Sequence, residues 1–187
     1  ARGVVACSSG NHGRAVAHVA GMLGMAATVC VPDWADQVKL AAMTAAGANI
    51  ILAGSSYDDA AERAERLRDD EGLTLIHPFD DPLIVAGQGT IGTEIVDALP
   101  DVAEIVVPLS GGGLAGGLAL AAKARNRTVT ITAASAERAG VMLASLRAGK
   151  PIDVPEMPTI ANALAGGIGL DNRYTFVLVR DGVDQHC

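Results

Sequence analysis

Aromatic residues are scarce in this chain: one Trp, two Tyr and two Phe in 187 residues. A core without large rings must be filled by Ala, Val, Leu and Ile, which suits helices packed closely on a parallel sheet and disfavours sandwiches and small barrels. Lysine is equally sparse, at positions 39, 123 and 150 only, and the net charge is −7. A nucleic-acid surface needs clustered cations, so that partner class is excluded. The three cysteines, Cys7, Cys30 and Cys187, have neither paired nor metal-like spacing and read as reduced thiols of a cytoplasmic protein. Uncharged stretches from Ala15 to Pro32 and from Ile105 to Ala122 approach the length of a membrane span. Their internal glycines and strand-to-helix punctuation mark them instead as interior βα units.

What is present is 50% hydrophobic residues against 19% charged ones, and 22 glycines. That balance specifies a globular α/β chain. Strand-like runs at Gly3–Cys7, Ala27–Pro32, Asn49–Leu52 and Leu73–Ile76 alternate with helix-like runs at Arg14–Leu23, Ala35–Ala46 and Tyr57–Glu71. The character changes at Pro78-Phe79-Asp80-Asp81-Pro82, where a domain crossing is expected. A long helix follows, from Leu83 or Gly87 through Leu99. Then come strand Glu104–Leu109, helix Leu114–Ala124, strand Thr128–Ala134 and helix Val141–Ala148. The expected fold is two open parallel-sheet α/β lobes, residues 1–78 and 79–187. The last residues, Val183 to Cys187, are expected to enter a helix that follows a strand.

Two glycine-rich segments join strand to helix, Ser8-Ser9-Gly10-Asn11-His12-Gly13 and Ser110-Gly111-Gly112-Gly113-Leu114. Serial glycines at a helix start let several backbone N–H groups converge on one anion at the positive end of the helix dipole. The bland reading of the second segment is a tight turn. For the first it is an Asn helix cap, with His12 bracing the loop. Together the two suggest a phosphorylated cofactor.

These segments, with Pro78-Phe79-Asp80-Asp81-Pro82, the run Gly87-Gln88-Gly89-Thr90-Ile91-Gly92-Thr93-Glu94 and the Gly111 cluster in that order, resemble the fold type II pyridoxal-phosphate enzymes (tryptophan synthase β-like), in the threonine/serine dehydratase and serine racemase branch. The likeness extends through nearly the whole chain. The run from Gly166 to Phe176 is most similar to the hydroxyectoine-utilisation dehydratases. The resemblance implies pyridoxal 5'-phosphate as cofactor and β-elimination of a hydroxy amino acid to a keto acid and ammonia. It also implies a cytoplasmic homodimeric parent in amino-acid metabolism. On it, Asn11 bonds the phenolic oxygen of the cofactor ring, and Ser110, Gly111, Gly112, Gly113 and Leu114 hold the phosphate. Ser9 matches the acid/base of the serine racemases; hydrogen bonding to the substrate carboxylate is the other role open to it.

The chain departs from the family pattern in four places. Ser135 and Val141 stand where some members carry cation-binding acids, so no metal is expected. Asn162 stands where relatives often carry Asp. The Schiff-base lysine of the family precedes the first strand, and none of Lys39, Lys123 and Lys150 matches it. The residue at the pyridine nitrogen belongs to a region beyond the last strand. The expectation is therefore a fragment of a dehydratase, lacking both ends and inactive alone. The alternatives are a non-catalytic phosphate- or cofactor-binding module and a serine racemase-like parent. A nucleotide-binding Rossmann domain is disfavoured, because no acidic residue ends the strand after a Gly-x-Gly-x-x-Gly pattern.

Overall fold

The computed structural model describes residues 2–157, 159–164 and 166–187. The chain divides into two compact units, Ala1–Pro78 and Phe79–Cys187.

In the first unit β1 (Val4–Cys7), β2 (Ala27–Val31), β3 (Asn49–Leu52) and β4 (Thr74–Leu75) form one parallel sheet in the order β3-β2-β1-β4. Three helices connect them: α1 (Asn11–Met22), α2 (Gln37–Ala45) and α3 (Tyr57–Glu71). Successive side chains of a strand point to opposite faces. Val4, Val29 and Val31 accordingly pack with Ala17, Ala20 and Met43, while Val5, Cys7 and Cys30 pack with Ala60, Ala64 and Leu67. Both faces of the central strands are covered, which is why they read as unbroken apolar runs. The small alanines of α1 and α3 let the helices lie close to the sheet.

The helix boundaries follow local chemistry. Asp36 accepts from the N–H groups of Val38 and Lys39 and starts α2 two residues later than the apolar pattern suggests. Ser56 and Asp59 form a reciprocal capping box on α3, which ends at Gly72 in the left-handed conformation. Asn11 is the first residue of α1, with Gly10 at the cap position, so the cap reading of Asn11 is corrected.

In the second unit β5 (Glu104–Leu109), β6 (Thr130–Ser135) and β7 (Gln185–His186) form a parallel sheet in the order β5-β6-β7. Around it lie α4 (Pro82–Ala98), α5 (Gly113–Arg125), α6 (Val141–Ala148) and α7 (Thr175–Gly182), with a 3-10 turn at Asn162–Leu164. Helix α4 begins at Pro82, capped by Asp81, earlier than expected from the apolar pattern, because proline at the first helical position has no N–H to lose. A Cβ on Gly117 of α5 would stand 2.5 Å from the Val85 carbonyl of α4, so the two backbones touch without intervening side chains. One cluster, including Val107, Leu109, Leu118, Ile131, Met142 and Val179, forms the core.

The C-terminus differs from the sequence expectation. Thr175-Phe176-Val177-Leu178-Val179 is apolar and partly β-branched, which favours a strand, yet it is helical as α7, and the strand β7 follows it. The override is tertiary: the N–H groups that open the helix are taken by a carboxylate from far upstream, Asp80, and its apolar face is buried in the core.

Candidate functional site

The two glycine-rich loops occupy equivalent places, each at the carboxyl end of a parallel strand and the start of a helix. Ligands of open α/β sheets gather at such ends. The Ser8–Gly13 loop lies in the first unit and the Ser110–Leu114 loop in the second.

In the first loop, Ser8 is buried and its Oγ accepts from the Gly10 N–H at 3.1 Å, which turns the chain into α1. Ser9 is half-buried and Asn11 is exposed on the first turn of the helix. His12 is held by a 3.0 Å bond between Nε2 and the Ile76 carbonyl at the end of β4. Since a carbonyl only accepts, the proton sits on Nε2. Burial lowers the pKa of His12 below its ordinary 6.5, partly opposed by the Ile76 bond and reinforced by His77. His12 is thus a neutral brace that ties the loop to the neighbouring strand.

One residue at this loop was not singled out from sequence. Lys39 on α2 brings its Nζ within 3.8 Å of the position a Cβ on Gly10 would take. Sequence places Lys39 only on a helix; the packing of α2 beside α1 brings its cation to the loop. The other lysines are elsewhere. Lys123 pairs with Asp184 at 2.6 Å, and Lys150 follows the left-handed Gly149 that ends α6.

In the second loop, Gly112 has φ +86°, a conformation that disfavours any residue with a Cβ, and caps α5. Ser110, Gly111 and Leu114 are half-buried; Gly112 and Gly113 are buried. A Cβ on Gly111 would strike the Phe79 ring, and one on Gly113 would meet Phe79 and Oε1 of Gln88. The loop backbone therefore rests directly on Phe79 and Gln88. The run around Gly87-Gln88-Gly89 shows in sequence as a motif, but its support of the loop requires α4 and α5 to touch.

The helix starts divide into two kinds. Those of α2, α3 and α4 are closed by Asp36, Ser56 and Asp81. Those of α1, α5 and α6 have neither a capping side chain nor an acid in the first turn, and that of α7 is closed from far upstream by Asp80. Orphan amides at a helix start are satisfied by water or by a ligand, and the dipole makes an anion the favoured ligand. At α5 the three glycines let the loop backbone lie directly against Phe79, Gln88, Met142 and Val179. The donor set Ser110–Leu114 thus fits a phosphate monoester. Among the described residues, no three His, Cys, Asp or Glu side chains gather as a metal site, and no helix is long and apolar enough to cross a membrane.

Comparison with known proteins agrees with this chemistry. The model of the family "Pyridoxal-phosphate dependent enzyme" matches residues 1–186. A protein of Sinorhizobium fredii, provisionally named a threonine dehydratase, is 47% identical over 185 residues, which are 99% of this chain and 56% of that protein. The L-threonine ammonia-lyase of Thermotoga maritima is 42% identical over 98% of this chain and 45% of its own length. Among solved structures, maize serine racemase superposes with a TM-score of 0.90 at 38% identity, over 100% of this chain and 56% of that one. The chain spans about half the length of the curated relatives it matches.

Proposed function

The chain belongs to the family of pyridoxal-phosphate dependent enzymes, and from that premise we propose that it is the cofactor-holding part of an ammonia-lyase acting on a hydroxy amino acid. The reaction is β-elimination, giving a keto acid and ammonia; relatives named for threonine ammonia-lyase and threonine dehydratase support it. The substrate is a threonine- or serine-like hydroxy amino acid, after the named relatives, or a hydroxyectoine-derived one, after the similarity of the Gly166–Phe176 run to hydroxyectoine-utilisation dehydratases. We assign phosphate binding to the backbone of Ser110, Gly111, Gly112, Gly113 and Leu114. Asn11 is assigned to the oxygen of the cofactor ring, and Ser9 to the substrate, as proton donor or carboxylate ligand. When bound, the cofactor supplies an electron sink for the α-carbon. The chain's own residues bind its phosphate and orient its ring.

The carrying observation is the uncapped, acid-free, glycine-rich start of α5 at the carboxyl end of β5. The parent enzyme works in the cytoplasm as a homodimer in this reading. Lysine placement supports cofactor binding without turnover by this chain alone in two cases, Lys123 being engaged by Asp184 and Lys150 sitting beyond α6; Lys39, which reaches the Gly10 end of the first loop, is the lysine that the test has to read. The test pairs two ligands. Pyridoxal phosphate and phosphate-free pyridoxal are titrated while the amides of residues 110–114 are followed by NMR; shifts that require the phosphate support the assignment, and equal responses refute it. Borohydride reduction followed by peptide mapping then reads the lysines. A stoichiometric adduct on Lys39 would overturn the inactive reading, whereas the expected result is no specific adduct and no keto acid from threonine.

A further inference from the structure

Phe79 and Asp80 are adjacent in sequence, and each supports the phosphate loop from a different side. Phe79 lies under Gly111 and Gly113. Asp80 reaches the start of α7, more than ninety residues downstream. Its Oδ1 accepts from the N–H groups of Tyr174 and Thr175, both at 2.9 Å, and its Oδ2 from that of Arg173 at 2.7 Å. Asn172 completes the cap by accepting from the Phe176 N–H at 2.8 Å and donating to Thr175 Oγ1 at 2.8 Å. Four successive N–H groups at the start of α7 are thereby satisfied, in a segment whose own cap position, Tyr174, provides no side-chain bond.

Helix α7 is in turn the floor of the glycine loop. A Cβ on Gly112 would come within 3.2 Å of Thr175 Cβ and 3.0 Å of Val179 Cγ2, and one on Gly116 within 2.7 Å of Leu178 Cβ. Thr175 and Val179 are both fully buried. Any shift of the first turn of α7 must therefore move Gly112, whose left-handed backbone sets the direction of the amides that follow it.

We propose that Asp80 is the positioning residue of the phosphate cradle: it fixes the start of α7 against Gly112, while Phe79 beside it fixes Gly111 and Gly113. The inference rests on the phosphate reading of this loop and deepens it, since Asp80 touches no ligand and acts through α7. Three carboxylate bonds to backbone N–H groups make this a charge-assisted anchor, stronger than a neutral cap. Asp81 supplies a matched control one residue away. It caps α4 through the N–H groups of Leu83 at 2.8 Å and Ile84 at 3.2 Å and has no bond to α7.

The test compares Asp80→Ala, Asp80→Asn and Asp81→Ala in the whole chain, with inorganic phosphate as ligand and site-resolved amide hydrogen exchange as a ligand-independent readout. Asp80→Ala is expected to speed exchange at residues 112–116 about tenfold and to weaken phosphate binding about tenfold. Asp80→Asn, which keeps the acceptor for Tyr174 and Thr175 but turns an N–H toward Arg173, falls between, at about threefold. Asp81→Ala is expected to lower the denaturation midpoint to a similar degree and leave both site readouts unchanged. Equal effects of the Asp80 and Asp81 variants on residues 112–116 would reduce Asp80 to a stability residue and overturn the proposal. Should Asp80→Ala fail to fold, unchanged exchange in Asp80→Asn overturns it equally. Absent phosphate binding in the unsubstituted chain would sink the phosphate reading by itself, while exchange still decides whether Asp80 positions the loop.

Discussion

Replacing Gly112 by alanine tests whether the loop is locked by its surroundings or only rich in glycine. At φ +86°, a residue with a Cβ pays about 1–2 kcal/mol for the left-handed backbone. The added methyl would stand 2.6 Å from Met142 Cε and 3.0 Å from Val179 Cγ2, and both side chains are buried, so neither can retreat into solvent. Overpacking of that kind costs about 1–3 kcal/mol. The combined loss is about 2–5 kcal/mol, a large share of a typical domain stability of about 5–15 kcal/mol. Urea denaturation at unchanged m reads it directly. A cycle with Met142→Ala separates the two contributions. Truncating Met142 costs about 2–5 kcal/mol through the cavity it leaves, but it removes the closest clash, so the double variant should be more stable than the sum of the singles by about 1 kcal/mol. A loss below about 0.5 kcal/mol for Gly112→Ala, the range of a surface change, would show that the loop is not locked by its surroundings.

Two further predictions concern His12 and the cysteines. Burial lowers the pKa of His12 in the folded chain, so between the folded value and the ordinary 6.5 the unfolded state binds more protons. His12 thus contributes stability that is complete above pH 6.5 and is lost as the pH falls below it, by at most about 1.4 kcal/mol per pH unit. Stability profiles of the unsubstituted chain and His12→Gln should converge as the pH drops; parallel profiles would contradict the buried neutral brace. Burial also pushes the Cys7 thiol up to about 12 and raises that of Cys30, whereas Cys187 is exposed. Iodoacetamide at neutral pH should label Cys187 alone until the chain is unfolded, as read by peptide mass; native labelling of Cys7 would show that the start of the first loop opens to solvent.

The class of fold and the places of the two loops are legible in the amino-acid sequence. Buried parallel strands read as continuous apolar runs, as Val4–Cys7 and Ala27–Val31 do, whereas Glu104–Leu109 buries only Ile105, Val107 and Leu109; each is followed by glycine or capping residues that start a helix. The two loops are legible for the same reason, because loop chemistry is local and is written in consecutive residues; the roles of Ser9, Asn11 and the Ser110–Leu114 backbone belong to the proposal. What supports those loops emerges only from packing. The helix start at Pro82 rather than Leu83 or Gly87 is, by contrast, a local matter, set by Asp81 accepting from the N–H groups of Leu83 and Ile84. The helix α7, in residues that favour a strand, depends on Asp80 far upstream. Lys39 at Gly10, Gln88 and Phe79 under Gly113, and Met142 and Val179 under Gly112 are contacts between elements distant in sequence. Such contacts carry no periodicity and no spacing signature. They exist only once the helices have packed, and close packing of small residues leaves one arrangement in which the glycine backbone and its supports fit.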